Sequence, residues 1–223
     1  TLGTSIIKFF NLTVAATGLN EKLLKRYNIP YRTVTVTRGN HASYYPGATN
    51  IVLKMNFGED GTIYGAQALG QEGVDKRIDV IATAIKGNLT IYDLQEIEIA
   101  YAPPYNSAKD PVNILGYVAE NMLNDDVRFI NYDQLDDYLL NENAVLIDVR
   151  SKTEFENGAI PNAINMDVDT LRDHLDFFDK NKKYVIYCQI GLRGYLAQRI
   201  LRNNGIYSVN LNGGYGLWKP LNS

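Results

Sequence analysis

Apolar and polar positions follow different rhythms in the two halves of the chain. Between Tyr31 and Thr37 they alternate, with Val34 and Val36 as β-branched members, which predicts a strand. Two more strand-like runs, Asn50 to Phe57 and Thr62 to Leu69, flank Gly58-Glu59-Asp60-Gly61. An Asp-Gly pair between such runs predicts a hairpin. Val74, Ile78, Ile81, Ala82 and Ile85 then recur at helical spacing as far as Gly87, which stops the helix. Thr90-Ile91-Tyr92-Asp93 has the form of a capping box, and another helical pattern covers Val112 to Leu123. Antiparallel strands plus helices predict an α+β domain over residues 1–123.

Leu123-Asn124-Asp125-Asp126 is the expected joint, polar but without the Pro/Gly richness of a long flexible linker. Beyond it, Tyr132 to Leu140 reads as helix and Ala144 to Val149 as a continuous apolar strand. Ser151-Lys152-Thr153-Glu154 is a second capping box. Short strands at Ala163–Met166, Tyr184–Tyr187 and Ser208–Leu211 alternate with helical patterns at Leu171–Phe178 and Tyr195–Asn203. Apolar strands interleaved with helices predict an α/β domain with a central parallel sheet over residues 124–223.

The run Tyr184-Val185-Ile186-Tyr187 delivers the chain's one cysteine, Cys188, to a glycine-bearing loop, Gln189-Ile190-Gly191-Leu192-Arg193-Gly194. An amphipathic pattern follows at once: Leu196, Ala197, Ile200, Leu201. A thiol between a strand end and a helix start meets converging backbone N–H groups and the positive end of the helix dipole. Both favour the thiolate, the reactive form, and Arg193 adds a positive charge five residues on. Gly191 is expected to let the backbone approach closely. Most lone cysteines are buried and inert; the Gly-Leu-Arg-Gly context after a strand points the other way.

Composition narrows the rest. With 25 acidic and 22 basic residues, the net charge of −3 gives no sign of nucleic-acid or membrane-surface binding. No apolar run approaches the roughly 20 residues of a membrane span. A single cysteine suits a reducing cytoplasm, and no secretory leader is visible. The chain opens on Thr1-Leu2-Gly3-Thr4 without a starting methionine and reads as a piece of a longer protein. His41 and His174 have no companions at metal-ligand spacing and read as ordinary surface or loop residues, so no metal is expected. Asp148 and Arg150 could wall the cysteine site but read first as an ion pair at a strand end; Glu154 reads as a cap and Trp218 as core. Gly214-Tyr215-Gly216 begins like a dinucleotide loop, yet the third glycine is missing and no helix is expected after it.

Three blocks in order resemble the rhodanese family over about residues 125–223. They are Leu146-Ile147-Asp148-Val149-Arg150 with Glu154-Phe155 and Gly158-Ala159-Ile160-Pro161-Asn162-Ala163; Cys188 to Tyr195; and Leu211-Asn212-Gly213-Gly214-Tyr215-Gly216-Leu217-Trp218. The resemblance implies that Cys188 accepts a sulfane sulfur, becomes a persulfide and passes it on, with Arg193 in the catalytic loop and Gln189, Ile190, Gly191, Leu192 and Gly194 cradling the sulfur. Ala159 stands where the family usually has histidine and Asn162 where it has glycine; neither carries the sulfur. Two alternatives stay open. One is a docking module whose cysteine is not turned over. The other is a cysteine phosphatase, although that loop places arginine six positions after cysteine and here the sixth is Gly194.

The first half resembles the dimerisation domain of flavin-dependent pyridine nucleotide–disulfide reductases, in the branch of coenzyme A-disulfide reductases and NADH oxidase-like enzymes. Five segments carry the likeness: Leu2 to Ile6, Ala16 to Asn20, His41 to Ala48, Gly73 to Val80 and Ala100 to Tyr105. The resemblance implies a homodimer through residues 1–123. It implies FAD and NAD(P)H domains that precede this segment in the parent and are missing here, so this chain alone is expected to hold no FAD or NAD(P)H tightly. It also implies a role for Tyr44 and Tyr101, with Tyr45 and Tyr105 beside them, in holding or protonating a coenzyme A thiol at the partner's flavin site. With sixteen tyrosines in the chain, interface packing is an equal reading for that pair.

Overall fold

The computed structural model describes residues 1–222 and divides into two compact units, Thr1–Leu123 and Asn124–Ser223. The first unit is built on a five-stranded antiparallel sheet in the order β1-β2-β5-β4-β3. Its strands are β1 (Ser5–Phe9), β2 (Leu12–Gly18), β3 (Arg32–Gly39), β4 (Asn50–Phe57) and β5 (Ile63–Gly70). The β4–β5 hairpin turns where the Asp-Gly pair predicts it, with Gly61 at φ 84°. Helices α2 (Val74–Lys86) and α4 (Pro111–Leu123) pack on the sheet, after a short α1 (Glu21–Arg26) and with α3 (Ile91–Glu96) between them. Val34, Leu53, Met55, Ile78, Ile81 and Leu115 are fully or almost fully buried between these layers.

The β1–β2 hairpin and α1 are not legible in the sequence. β1 is exposed along its whole length, and Ile6, Ile7, Phe9 and Phe10 give no alternation to read. Its strand character comes from pairing with β2, from Ser5↔Ala16 to Phe9↔Leu12, across a turn that holds Phe10 at φ 53°.

The second unit is an α/β sheet in the order β6-β10-β9-β7-β8, every pairing parallel. Its strands are β6 (Phe129–Ile130), β7 (Val145–Asp148), β8 (Ile164–Asn165), β9 (Tyr184–Tyr187) and β10 (Ser208–Leu211). Both faces of the central β9 are covered. Tyr184 and Ile186 enter one core cluster with Ala197 and Leu201; Val185 and Tyr187 enter the other with Leu135 and Tyr215. Cys188 continues this period into the first cluster. The α-helices are α5 (Leu135–Asn141), α6 (Lys152–Glu156), α7 (Leu192–Asn203) and α8 (Gly214–Leu221).

Three expectations change. Leu171–Phe177 forms 3₁₀ turns with a break at His174, because within that stretch only Leu171 is buried and no continuous apolar stripe anchors an α-helix. A helix is present after all: α8 starts at Gly214 itself, so Gly214-Tyr215-Gly216 is its first turn, and two glycines and Pro220 hide it from a propensity reading. Leu196 is exposed, so the buried stripe of α7 is Ala197, Ile200 and Leu201.

Candidate functional site

Cys188 stands just past β9 and is 1% exposed. Its Sγ accepts the backbone N–H of Gly191 at 3.1 Å. Gly191 is the N-cap residue of α7 at φ 108°, a left-handed conformation that side chains rarely adopt. Space is open where its Cβ would stand, so the dihedral and not a close approach requires glycine there. The close approach lies at Gly194, where a Cβ would come 2.3 Å from Asn210 Oδ1. Asn210, fully buried on β10, donates through Nδ2 to the Gly191 carbonyl at 3.1 Å, which also accepts the Tyr195 N–H at 2.9 Å. On the loop's other flank, Tyr215 and Gly216 donate their N–H groups to the carbonyls of Cys188 and Gln189, both at 2.8 Å. A Cβ on Gly214 would meet the Cys188 carbonyl at 2.3 Å. The glycine turn at α8 therefore closes on the protein's own backbone and does not fit a dinucleotide pyrophosphate.

The loop's charges are paired. Arg193 donates from Nη1 and Nη2 to Glu154 Oε2 and Oε1 at 2.6 and 2.7 Å. Glu154 also accepts the Ser151 N–H and hydroxyl, both at 3.1 Å, so the expected cap holds the arginine as well. The guanidinium, more than anything else, brings the Glu154 carboxyl down to about 2, and the carboxylate in turn raises Arg193 above the usual arginine value. Asp148 and Arg150 form the expected ion pair, Oδ2 to Nη2 at 2.7 Å, and both side chains are almost fully buried. Arg150 reaches further: to the Gly158 carbonyl at 2.7 Å, to Gln189 Oε1 at 3.3 Å, and over the Tyr215 ring at 4.1 Å. It is both ion pair and loop wall. Gln189 and Ile190 are half-buried beside the cysteine, whereas Leu192 is exposed. Among the described residues no cluster of histidine, cysteine or carboxylates could hold a metal, and no helix is long and apolar enough to cross a membrane.

In the first unit the structure brings Tyr44 and Tyr101 together. Their hydroxyls lie 3.4 Å apart, both rings are exposed, and the bond raises Tyr44 above the ordinary tyrosine value. Tyr105 is exposed, and Tyr45 sets its ring edge-to-face against His41, which lies in a loop but is buried. Sequence reasoning missed Arg77. It is 1% exposed, and its guanidinium contacts Asp110 Oδ2, the Asn40 carbonyl, Asn106 Oδ1 and the Gly73 carbonyl at 2.8 to 3.1 Å. These bonds tie the Tyr44 loop to the Tyr101 loop. The available signal was an arginine on the apolar face of α2, between Val74 and Ile78.

The two units match two different domain families. Residues 4–111 match the pyridine nucleotide-disulphide oxidoreductase dimerisation domain, and residues 131–220 match the rhodanese-like domain. The coenzyme A disulfide reductase of Staphylococcus haemolyticus is 45% identical over 122 residues, 54% of this chain and 27% of that protein. Reduced Bacillus anthracis CoADR-RHD superposes with a TM-score of 0.94 at 51% identity, over 98% of this chain and 39% of that one. The NAD-dependent persulfide reductase from A. fulgidus gives 0.89 at 37% identity, over 97% and 39%. The chain thus spans about a quarter to two fifths of these relatives.

Proposed function

We propose that this chain works as the dimerisation and rhodanese portion of a longer reductase. That parent reduces coenzyme A disulfide, coenzyme A persulfide or polysulfide with NAD(P)H through FAD, and Cys188 relays sulfane sulfur as a persulfide. FAD and NAD(P)H are assigned to parts of the parent beyond these residues. The carrying observation is the Gly191 N–H donated to Cys188 Sγ at 3.1 Å, at the mouth of a loop that opens the twelve-residue α7. A backbone donor aimed at the sulfur stabilises negative charge on it, as a thiolate or as the bound sulfur of a persulfide. In this reading residues 1–123 pair two copies, and Tyr44 and Tyr101 present their phenols to the coenzyme A thiol.

The 1% exposure of Cys188 favours a second reading, a docking module with a silent cysteine. A phosphatase is disfavoured because Arg193 is held by Glu154 and Gly194 takes the sixth position. Intact mass after incubation with a sulfane-sulfur donor separates these readings. The chain should gain one sulfur, and Cys188→Ser should gain none. No uptake by the unaltered chain would leave the docking module, and uptake by the serine variant would displace Cys188 as the carrier.

A further inference from the structure

The loop from Cys188 to Gly194 carries one cation, Arg193, and its field reaches Cys188. That guanidinium is bound on both Nη atoms by Glu154, whose own carboxylate is fixed by the Ser151 cap. Asp167 acts on the same guanidinium as a further acid. The residues directly after the cysteine, Gln189 and Ile190, are uncharged. Arg150, the other guanidinium at the loop, is 2% exposed and already engaged by Asp148, Gly158 and Gln189. The described loop therefore turns no uncompensated positive charge toward an incoming donor.

We propose that Glu154 sets the class of sulfur donor. By neutralising Arg193 it disfavours a small dianion such as thiosulfate and leaves the site to an organic persulfide, whose electrophilic form R–S–SH is neutral. The Cys188 thiolate attacks the outer sulfur. A new Sγ–S bond forms from the thiolate's electron pair, the donor's S–S bond breaks, and R–S⁻ leaves with that bond's pair. The outer sulfur keeps its proton, so Cys–S⁻ and R–S–SH become Cys–S–SH and R–S⁻ with no external oxidant. Leaving as a thiolate, the organic fragment needs no cation of its own at the loop. The inference rests on Cys188 being the sulfur carrier.

Glu154→Gln is the direct test. Glutamine keeps the hydrogen-bonding pattern of a capping box, so the start of α6 is preserved while the negative charge is removed. One freed charge beside the sulfur should raise the ratio of kcat/KM for thiosulfate to that for an organic persulfide about five- to tenfold at low salt. That gain should shrink by about 0.3 M salt, where the screening length is only a few ångströms. The unaltered chain supplies a second measurement: its kcat/KM for thiosulfate should stay flat or rise with salt, because screening relieves repulsion by Glu154 and Asp167. A ratio unchanged or lowered in Glu154→Gln overturns the proposal, and so does a steep fall with salt in the unaltered chain. Intact mass separates the two layers. If the organic persulfide adds no sulfur to Cys188, the carrier reading fails; if sulfur is added and the ratio does not move, only the role of Glu154 fails.

Discussion

Asn210 holds the residue that holds the sulfur: its Nδ2 donates to the Gly191 carbonyl, and the Gly191 N–H donates to Cys188 Sγ, each at 3.1 Å. The same asparagine leaves its buried Oδ1 without a hydrogen-bond partner. An unpartnered buried acceptor costs about 1–3 kcal/mol. Two of the second unit's other unpartnered buried atoms, Ser208 Oγ and Asn212 Oδ1, flank it within two residues. The end of β10 thus trades stability for a fixed loop.

Asn210→Ala should expose that trade. The lost bond to Gly191 and the removed orphan oxygen oppose each other, so the melting midpoint should move by only a few degrees. The Gly191 amide, no longer braced, should drift from Sγ, and kcat for sulfur transfer should fall about tenfold with KM held. Steady-state kinetics beside a thermal scan checks this. A large loss of stability with unchanged kcat would assign Asn210 to the core alone.

Gly194→Ala should force Asn210 to turn, since the new Cβ would stand 2.3 Å from Oδ1. Overpacking of this kind costs about 1–3 kcal/mol. In an Asn210→Ala background the same change should cost clearly less, because the clashing atom is gone. Denaturant titration of the two single variants and the double variant gives the coupling. Strict additivity would mean that the two residues do not touch in solution.

The loop could be read from sequence because its parts are local: an apolar strand, a cysteine, a glycine and an amphipathic helix lie within twenty residues. The parts that fix it are not local. Asn210 comes from the next strand, Glu154 from a capping box 39 residues upstream of Arg193, and the Tyr215 and Gly216 amides from a helix whose glycines conceal it. In the same way α2 announces itself by period and puts Arg77 on its apolar face, but the partner that lets a charge sit there, Asp110, comes 33 residues later. The β1–β2 hairpin is hidden because β1 is exposed throughout and the buried positions of β2, Ala15 and Thr17, are small or polar.

Arg77→Met should destabilise the first unit by about 3–5 kcal/mol, because Asp110, itself 1% exposed, would keep its charge without its partner. Adding Asp110→Asn should recover part of the loss, since an amide can still cap α4, where Asp110 Oδ1 accepts the Val112 N–H at 2.9 Å. Urea unfolding of both variants measures this. A loss under about 1 kcal/mol would mean that the pair is solvated.

The Glu154–Arg193 pair should leave an acid signature. Glu154 titrates near 2 in the folded chain, against about 4.3 when unfolded. A lowered carboxyl stabilises the fold above the unfolded value, and that contribution is lost as pH falls through the folded one. The urea-midpoint difference between the unaltered chain and Glu154→Gln should be full above about pH 4.5 and should vanish near pH 2. Its size will be modest, because both side chains are about one third exposed. A difference constant across that window would assign the effect to the cap and not to the ion pair.

Tyr44 and Tyr101 should behave as a unit in the longer reductase. Their hydroxyls are 3.4 Å apart on an exposed face, and the Arg77 network holds their loops in that relation. A phenol placed to donate a proton to a leaving thiolate contributes about 10²–10⁴-fold. Tyr44→Phe and Tyr101→Phe should each slow coenzyme A-disulfide reduction, and the double variant should be little worse than the more damaging single one, because either change breaks the pair. Light scattering on the same samples should still give a dimer. Slowed chemistry in an intact dimer would support proton donation, whereas losing the dimer along with the activity would make the two rings packing residues. Unchanged turnover in the double variant would remove both from the chemistry.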